Sequence, residues 1–275
     1  MIGTTKAGHT LKLVRSDWVI AMRRLLLLAL LGMVSLAASP VLAAEIQKCS
    51  MVVNGESTVL TFDGQAADGH AVTVEGILTK PDGDGPFPLV VMLPGDGGLV
   101  TPYCNGIWAR KFASWGYASV VVAVTTGRND SGERRVHYTF LDVVEYARFV
   151  AADLLGSPDI DGNRIGLWGF SRGGLSALEI ATGTGFPGGA FKAVVALAPH
   201  CPSRSKPPQI PVVIMHGTAD AVIPVDVCTR YADRMTGSPG FEFITLNGAQ
   251  HVFWLEEPHA TTSTSKIMSF LSKHL

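Results

Sequence analysis

Residues 166–174 read Gly166-Leu167-Trp168-Gly169-Phe170-Ser171-Arg172-Gly173-Gly174. The run carries G-x-S-x-G between an apolar stretch that opens at Arg164-Ile165 and a helix expected over Leu175–Thr182. A strand that turns into a helix through a single serine confines the chain to few folds. The turn is so sharp that the serine must leave the ordinary backbone regions. Glycines on either side let strand and helix approach with no Cβ between them. The serine oxygen then projects above one end of a sheet, facing the N–H groups of the next helix.

Two more pieces follow in order. Val212-Val213-Ile214-Met215 reads as a buried strand and runs into His216-Gly217-Thr218-Ala219-Asp220. Phe241–Leu246 reads as another strand and runs into Asn247-Gly248-Ala249-Gln250-His251. Asp220 lies 49 residues after Ser171, and His251 lies 31 after Asp220, which leaves about one strand–helix unit in each interval. Each residue therefore follows a strand, at the edge where open α/β sheets place their sites. A serine hydroxyl is a poor nucleophile at neutral pH. His251 is positioned in the order to take its proton and return it to the leaving group, with Asp220 fixing the imidazole tautomer. Taken singly, the glycine-rich run is an ordinary turn, Asp220 a helix cap and His251 a structural hydrogen-bonding group. Together, in this order, they point to a catalytic triad.

Such a triad needs donors for a developing oxyanion. Leu89–Leu93 reads as a strand that ends in Pro94-Gly95-Asp96-Gly97-Gly98. The expected donors are the backbone N–H of Asp96, with Gly97 as the alternative, and the N–H of Arg172. The Arg172 side chain has two readings, a clamp for a substrate carboxylate or a salt bridge beneath the elbow, and the second is preferred. Arg128, His200 and His216 are read as structural. They show no metal-ligand spacing, and neither metal nor cofactor is expected. Phe253, Trp254 and Tyr103 are candidates for an acyl pocket, with core packing as the plainer reading.

Strands are expected near Ser57–Phe62, Val72–Thr79, Pro88–Leu93, Ala118–Val124, Arg164–Gly169, Ala193–Ala198, Pro211–His216 and Phe241–Leu246. Several are unbroken aliphatic runs, as in a parallel sheet covered on both faces. Helices are expected over Gly106–Trp115, Thr139–Leu155, Leu175–Thr182, Val225–Met235 and Thr262–Lys273. In the second, Phe140, Val143, Val144, Ala147, Val150, Ala151 and Leu154 form a helical stripe that is core, not a cofactor box. The alternation predicts an α/β fold, a doubly wound, mostly parallel eight-stranded sheet with helices on both faces. No insertion is long enough for a large lid domain. With 47% hydrophobic and 16% charged residues, the 275-residue chain can build a large core. A net charge of −1 offers no electrostatic case for nucleic acid.

The N-terminal stretch has the pattern of a targeting segment. Met22-Arg23-Arg24 is a basic start, Leu25–Leu36 is apolar, and Ser39-Pro40-Val41-Leu42-Ala43-Ala44 offers small residues for cleavage. Cleavage is expected after Ala44, with Ala43 as the alternative. That leaves residues 45–275 as an exported domain, periplasmic or secreted, with no stable membrane anchor. Met22 is an alternative translation start. Cys49, Cys104, Cys201 and Cys228 remain, an even number that suggests disulfides in an exported chain. Cys201 and Cys228 follow neighbouring expected strands at one end of the sheet and are the favoured pair. Cys49 with Cys104 is a second.

Over residues 70–273 the sequence resembles the dienelactone hydrolase family of the α/β-hydrolase fold. The likeness rests on Gly76-Ile77-Leu78-Thr79-Lys80-Pro81, Gly85-Pro86-Phe87-Pro88, Trp115-Gly116-Tyr117-Ala118, Ile160-Asp161-Gly162-Asn163-Arg164-Ile165-Gly166 and Gly248-Ala249-Gln250-His251-Val252-Phe253. It implies ester or lactone hydrolysis through a covalent acyl-enzyme. Two departures stand out. Ser171 occupies the place of the cysteine nucleophile of founding members, and Pro94 opens a loop where relatives often have histidine. The expectation is an exported serine hydrolase acting on a small-molecule ester or lactone. A peptidase or amidase on the same fold, or a non-catalytic binding module, are the alternatives.

Overall fold

The aliphatic runs do form strands. The computed structural model describes residues 57–96, 105–128, 138–183, 191–204 and 206–275. Its strands are β1 (Ser57–Gln65), β2 (Ala71–Thr79), β3 (Phe87–Leu93), β4 (Ala118–Arg128), β5 (Ile160–Phe170), β6 (Phe191–Leu197), β7 (Val212–Gly217) and β8 (Phe241–Leu246). Among the described residues the helices are α1 (Asn105–Ser114), α2 (Phe140–Leu154), α3 (Arg172–Ala181), α4 (Asp226–Met235) and α5 (His259–His274), with a short 3₁₀ turn at Phe253–Leu255. The eight strands make one sheet in the order β1-β2-β4-β3-β5-β6-β7-β8. β2 is antiparallel to both its neighbours, and every pairing from β4 to β8 is parallel. This is the mostly parallel α/β-hydrolase sheet expected from the alternation.

Side chains alternate across the sheet with the two-residue period of a strand. Leu89, Val91 and Leu93 join Val120, Val122 and Val124 in a core beneath α2, α3 and α4. Val90, Met92 and Val121 face the opposite core, with Trp108 and Phe112 of α1 and Ile267, Phe270 and Leu271 of α5. With helices on both faces, β3, β5, β6 and β7 are buried over most of their length, the stretch Asp161–Arg164 at the start of β5 excepted. The α2 stripe is buried at Val143, Val144, Ala147, Val150, Ala151 and Leu154, whereas Phe140 at its start is only half-buried. A capping box starts this helix. The Thr139 hydroxyl accepts from the Asp142 N–H, and Asp142 accepts from the Thr139 N–H at 2.7 Å. The other oxygen of Asp142 accepts from the Ala67 N–H at 2.9 Å, so the β1–β2 connection is pinned to the helix start.

β1, β4 and β5 run three to five residues longer than the sequence reading, and two helices start three residues earlier. α3 begins at Arg172 rather than Leu175, because Gly173 and Gly174 form its first turn. α5 begins at His259, directly after Pro258, rather than at Thr262. Cys201 and Cys228 are bonded, with Cα atoms 5.0 Å apart and both side chains buried. The bridge ties the loop after β6 to the first turn of α4. The second suggested pair, Cys49 with Cys104, and the targeting segment lie outside the described residues.

The bridge closes a loop of 27 residues in sequence separation, for which chain-entropy reasoning gives about 3–4 kcal/mol. The Cys201→Ser/Cys228→Ser double variant is expected to fall below the wild type by that amount in urea unfolding. Equal midpoints would show that the bridge adds nothing to stability.

Candidate active site

The elbow occupies the C-terminal end of β5, between β3 and β6 at the centre of the sheet. Ser171 has φ 54° and ψ −116°, a conformation that costs energy for any residue with a Cβ. The surroundings hold it there. Its N–H donates to the Leu197 carbonyl at 3.0 Å, and its carbonyl accepts from the Leu175 N–H at 3.1 Å. A Cβ at Gly173 would stand 2.0 Å from the Leu93 carbonyl oxygen, so only glycine lets α3 lie this close to the end of β3. Ser171 is the N-cap of α3, yet its side chain makes no capping hydrogen bond. A serine at this position ordinarily accepts from the helix N–H groups.

The loops after β7 and β8 are laced together. Thr218 N–H donates to the Leu246 carbonyl at 2.9 Å, Ala219 N–H to the Ala249 carbonyl at 3.0 Å, and Gly248 N–H to the Thr218 hydroxyl at 2.8 Å. A Cβ at Gly217 would sit 2.2 Å from the Ala249 oxygen, so a larger residue would force the loops apart. This contact brings Asp220 against His251. His251 Nδ1 lies 2.7 Å from Asp220 Oδ2, and a carboxylate accepts, so Nδ1 carries the proton and Nε2 is left as a base. The other carboxylate oxygen accepts from the Val222 and Ile223 N–H groups at 2.9 and 2.8 Å. Both side chains are buried. The His251 ring lies against Phe170, ring centroids 4.9 Å apart, which sets it beside the elbow.

The loop after β3 lies on the other side of the elbow. A Cβ at Gly95 would stand 3.2 Å from Ser171 Cβ. Asp96 pairs with the Arg172 guanidinium through Oδ1 and Nε. Arg172 Nη1 donates to the Tyr138 carbonyl at 3.2 Å and its guanidinium stacks over the Tyr138 ring, while the Tyr138 hydroxyl donates to the Asp96 carbonyl at 3.1 Å. The Arg172 side chain thus ties the loop after β3 to α3 and to Tyr138, the residue before the N-cap of α2. The leading N–H groups of α3 have no intrahelical acceptor, which leaves the Arg172 N–H available beside the serine. Gly97, the alternative donor, lies outside the described residues, as does Tyr103.

A cleft of about 670 Å³ opens over Ser171. Its walls are Tyr138, Phe140, Leu175, Val222 and Ile223, with Asp96, Thr139, Arg172 and His200 also on its lining. Phe253 and Trp254 do not line it. Both are buried in the core, Trp254 edge-on to Phe170 at 4.6 Å. The aromatic wall comes instead from Tyr138 and Phe140, at the start of α2. The sequence reading placed Phe140 in the core stripe, because helical period marks which face a residue is on and not where the helix ends. Val222 is 68% exposed on the rim, two residues from Asp220, a position that marked it only in hindsight. His200 is exposed at the cleft, whereas His216 is fully buried behind Asp220. Arg128 closes β4 opposite Thr73, and its side chain is outside the described part of the structure. Among the described residues, no group of three or more His, Cys, Asp or Glu side chains is placed to hold a metal ion.

A family model described as PET hydrolase-like matches residues 77–275, every strand from β3 to β8 included. The chain belongs to the PET hydrolase-like family. Its sheet and helices form the α/β-hydrolase fold. The esterase FrsA of Escherichia fergusonii is 25% identical over 211 residues, which are 71% of this chain and 48% of that protein. The chain thus spans about half the length of the curated relative it matches. A dienelactone hydrolase-like promiscuous phosphotriesterase from metagenomic libraries aligns over 80% of this chain and 99% of its own, with TM-score 0.63 and 20% identity. A puromycin-hydrolysing peptidase of Mycobacterium tuberculosis aligns over 82% of this chain and 41% of its own, with TM-score 0.64 and 18% identity. One fold carries three electrophile classes among these proteins, so the fold does not choose between them.

Burial holds the His216 imidazole below the usual histidine range, against the opposite pull of the Ile223 carbonyl and the Asp220 charge. The unfolded chain takes up this proton near pH ~6.5, and the folded chain only at lower pH. Stability from keeping His216 neutral is therefore present above that pH and lost as pH falls toward the folded value. Urea midpoints at pH 7.5 and 5.5 are expected to differ less in His216→Phe than in the wild type. An equal or larger difference in the variant would refute this assignment.

Proposed function

We propose that the chain is an exported serine hydrolase that cleaves small carboxylic esters or lactones through a covalent acyl-serine intermediate. One observation carries the reading. The histidine of the 2.7 Å Asp220–His251 hydrogen bond packs on Phe170, the residue before a serine that is held at φ 54° and makes no side-chain cap. In this reading His251 Nε2 takes the proton as Ser171 Oγ attacks the carbonyl carbon. The tetrahedral oxyanion is met by the backbone N–H groups of Asp96 and Arg172. As the C–O bond to the alcohol breaks, His251 gives its proton to the leaving oxygen. Water then attacks the acyl-serine by the same route in reverse, releasing the acid and restoring Ser171. In a lactone the leaving oxygen remains part of the acyl group, and the second step releases a single hydroxy acid. Asp220 keeps its charge throughout and stabilises the imidazolium that forms twice in each cycle.

The cleft walls suit the apolar part of an ester, since most of the surface they expose is apolar, with Tyr138, Phe140, Leu175, Val222 and Ile223 on the lining. Export is supported by the basic, apolar and small-residue sequence over residues 22–44 and by the Cys201–Cys228 bridge. No helix among the described residues is long and apolar enough to cross a membrane.

Two measurements test the reading. Ser171→Ala is expected to abolish covalent labelling by a fluorophosphonate and to lower ester turnover on the order of a million-fold, with the fold unchanged. Retained turnover in pure variant protein would remove Ser171 as nucleophile. A panel of p-nitrophenyl esters, lactones, a peptide amide and a phosphotriester is expected to rank the carboxylic esters or lactones first. A higher kcat/KM on the amide or the phosphotriester would replace the substrate class and leave the nucleophile standing.

A further inference from the structure

His216 is a buried ionisable side chain to which the proposed reaction gives no task. It stands in the last turn of β7, four residues before Asp220, and its ring is fully buried. Nε2 lies 2.9 Å from the Ile223 carbonyl oxygen. That oxygen can only accept, so Nε2 carries the proton. The same nitrogen lies 3.2 Å from Asp220 Oδ2, the oxygen that faces His251. The other ring nitrogen, Nδ1, is buried without a hydrogen-bond partner. An aliphatic or aromatic side chain would fill this space without leaving a nitrogen unsatisfied. What imidazole adds is the Nε2–H, directed at both ends of the turn from Asp220 to Ile223.

Within that turn one carboxylate oxygen, Asp220 Oδ1, gathers two backbone N–H groups, those of Val222 and Ile223, which fixes one edge of the carboxylate. His216 reaches the remaining edge and also grips the Ile223 carbonyl, closing a ring of contacts around the turn. Val222 and Ile223 in this turn also line the cleft, so a turn held still serves both the acid and the cleft wall.

We propose that His216 is a positioning residue for the acid–base pair: its Nε2–H, shared between the Ile223 carbonyl and Asp220 Oδ2, holds the carboxylate in the orientation that His251 needs. The proposal rests on the reading of Asp220 and His251 as orienter and base. Among the described residues, the ionisable groups acting on the His216 ring are Asp220 and His251. The neighbouring strands add the backbone and side chains of Thr245 on β8 and Leu197 beside Met215 on β6, none of them charged. Loss of the Nε2–H therefore has a defined electrostatic sign. Asp220 Oδ2 keeps one donor fewer, its charge acts more strongly on the His251 imidazolium, and the acid limb of kcat/KM moves to higher pH.

Three variants test this on hydrolysis of p-nitrophenyl butyrate, with melting curves to establish folding. His216→Gln keeps a donor near the Nε2 position, His216→Asn puts its amide near Nδ1, and His216→Phe has no donor. In Phe and Asn, kcat is expected to fall about 10- to 100-fold, the range for a lost hydrogen bond to a charged group. KM should stay within about two-fold, because uniform binding is untouched. The acid limb should shift upward in both, and Gln should restore kcat to within about three-fold of wild type. Folded Phe or Asn with wild-type kcat and pH profile would overturn the proposal, as would Gln no better than Asn. If Phe does not fold, the Gln–Asn pair decides. Ser171→Ala, run alongside, separates the two readings. Turnover that is independent of Ser171 sinks the triad, whereas Ser171-dependent turnover unaffected by His216 sinks only the positioning role.

Discussion

A carboxylate withdrawn from water is tolerated only where donors surround it. Asp220 is such a group, and much of the site is the arrangement of its donors. Two backbone N–H groups of its own turn meet one oxygen, and two imidazoles meet the other. Each donor comes with a structural demand. The N–H groups require a tight turn directly after β7. His216 requires that β7 end where its ring lies behind that turn. His251 requires that the loop after β8 fold back over the loop after β7. The lacing between those loops, and the room left by Gly217, meet that last demand. A buried charge thus turns three separate stretches of chain into one unit.

The serine side of the site depends on a different constraint, steric rather than electrostatic. Ser171 is held in a backbone region that a residue with a Cβ leaves when it is free to do so. Neighbouring backbone prevents that. β6 accepts its N–H, α3 begins at once, and the Leu93 carbonyl oxygen lies where a Cβ at Gly173 would be. The Arg172–Asp96 pair and its Tyr138 contacts then hold the loop after β3 against the elbow. The salt bridge favoured for Arg172 is the arrangement found, and it leaves that guanidinium already engaged with protein groups. The cleft above is framed by the start of α2 and the acid turn, two elements separated by three strands in the sequence.

The three proteins compared above differ by name in the bond they cleave, while the two solved structures share this fold. The choice lies in what the cleft walls admit and in what the oxyanion donors reach. In this chain the walls are mostly apolar and the rim carries an exposed valine. Under the function proposed above, such walls would suit an uncharged, apolar substrate portion, since desolvating a charge against Val222 and Leu175 is costly.

Strand and helix periods are local properties, and they were legible. The eight expected strands, the α2 stripe and the serine–acid–histidine order could all be read along the chain. Each depends on neighbours a few residues apart or on the simple rule that sites follow parallel strands. Helix starts were less legible where glycines in α3 or a proline before α5 concealed the first turn. The cleft walls were not legible. Phe140 belongs to a helical stripe by period and to the cleft by position, and Trp254 beside His251 is core. The role of His216 was equally hidden, because a histidine at a strand end has many ordinary readings until its Nε2 is seen against Asp220. The sequence by itself determined the sheet, its covering helices and the candidate chemistry. Only the tertiary structure decided which side chains line the cleft, because those contacts join loops far apart in the chain, and which ring braces the acid, because the turn after β7 must fold back before His216 can meet Asp220.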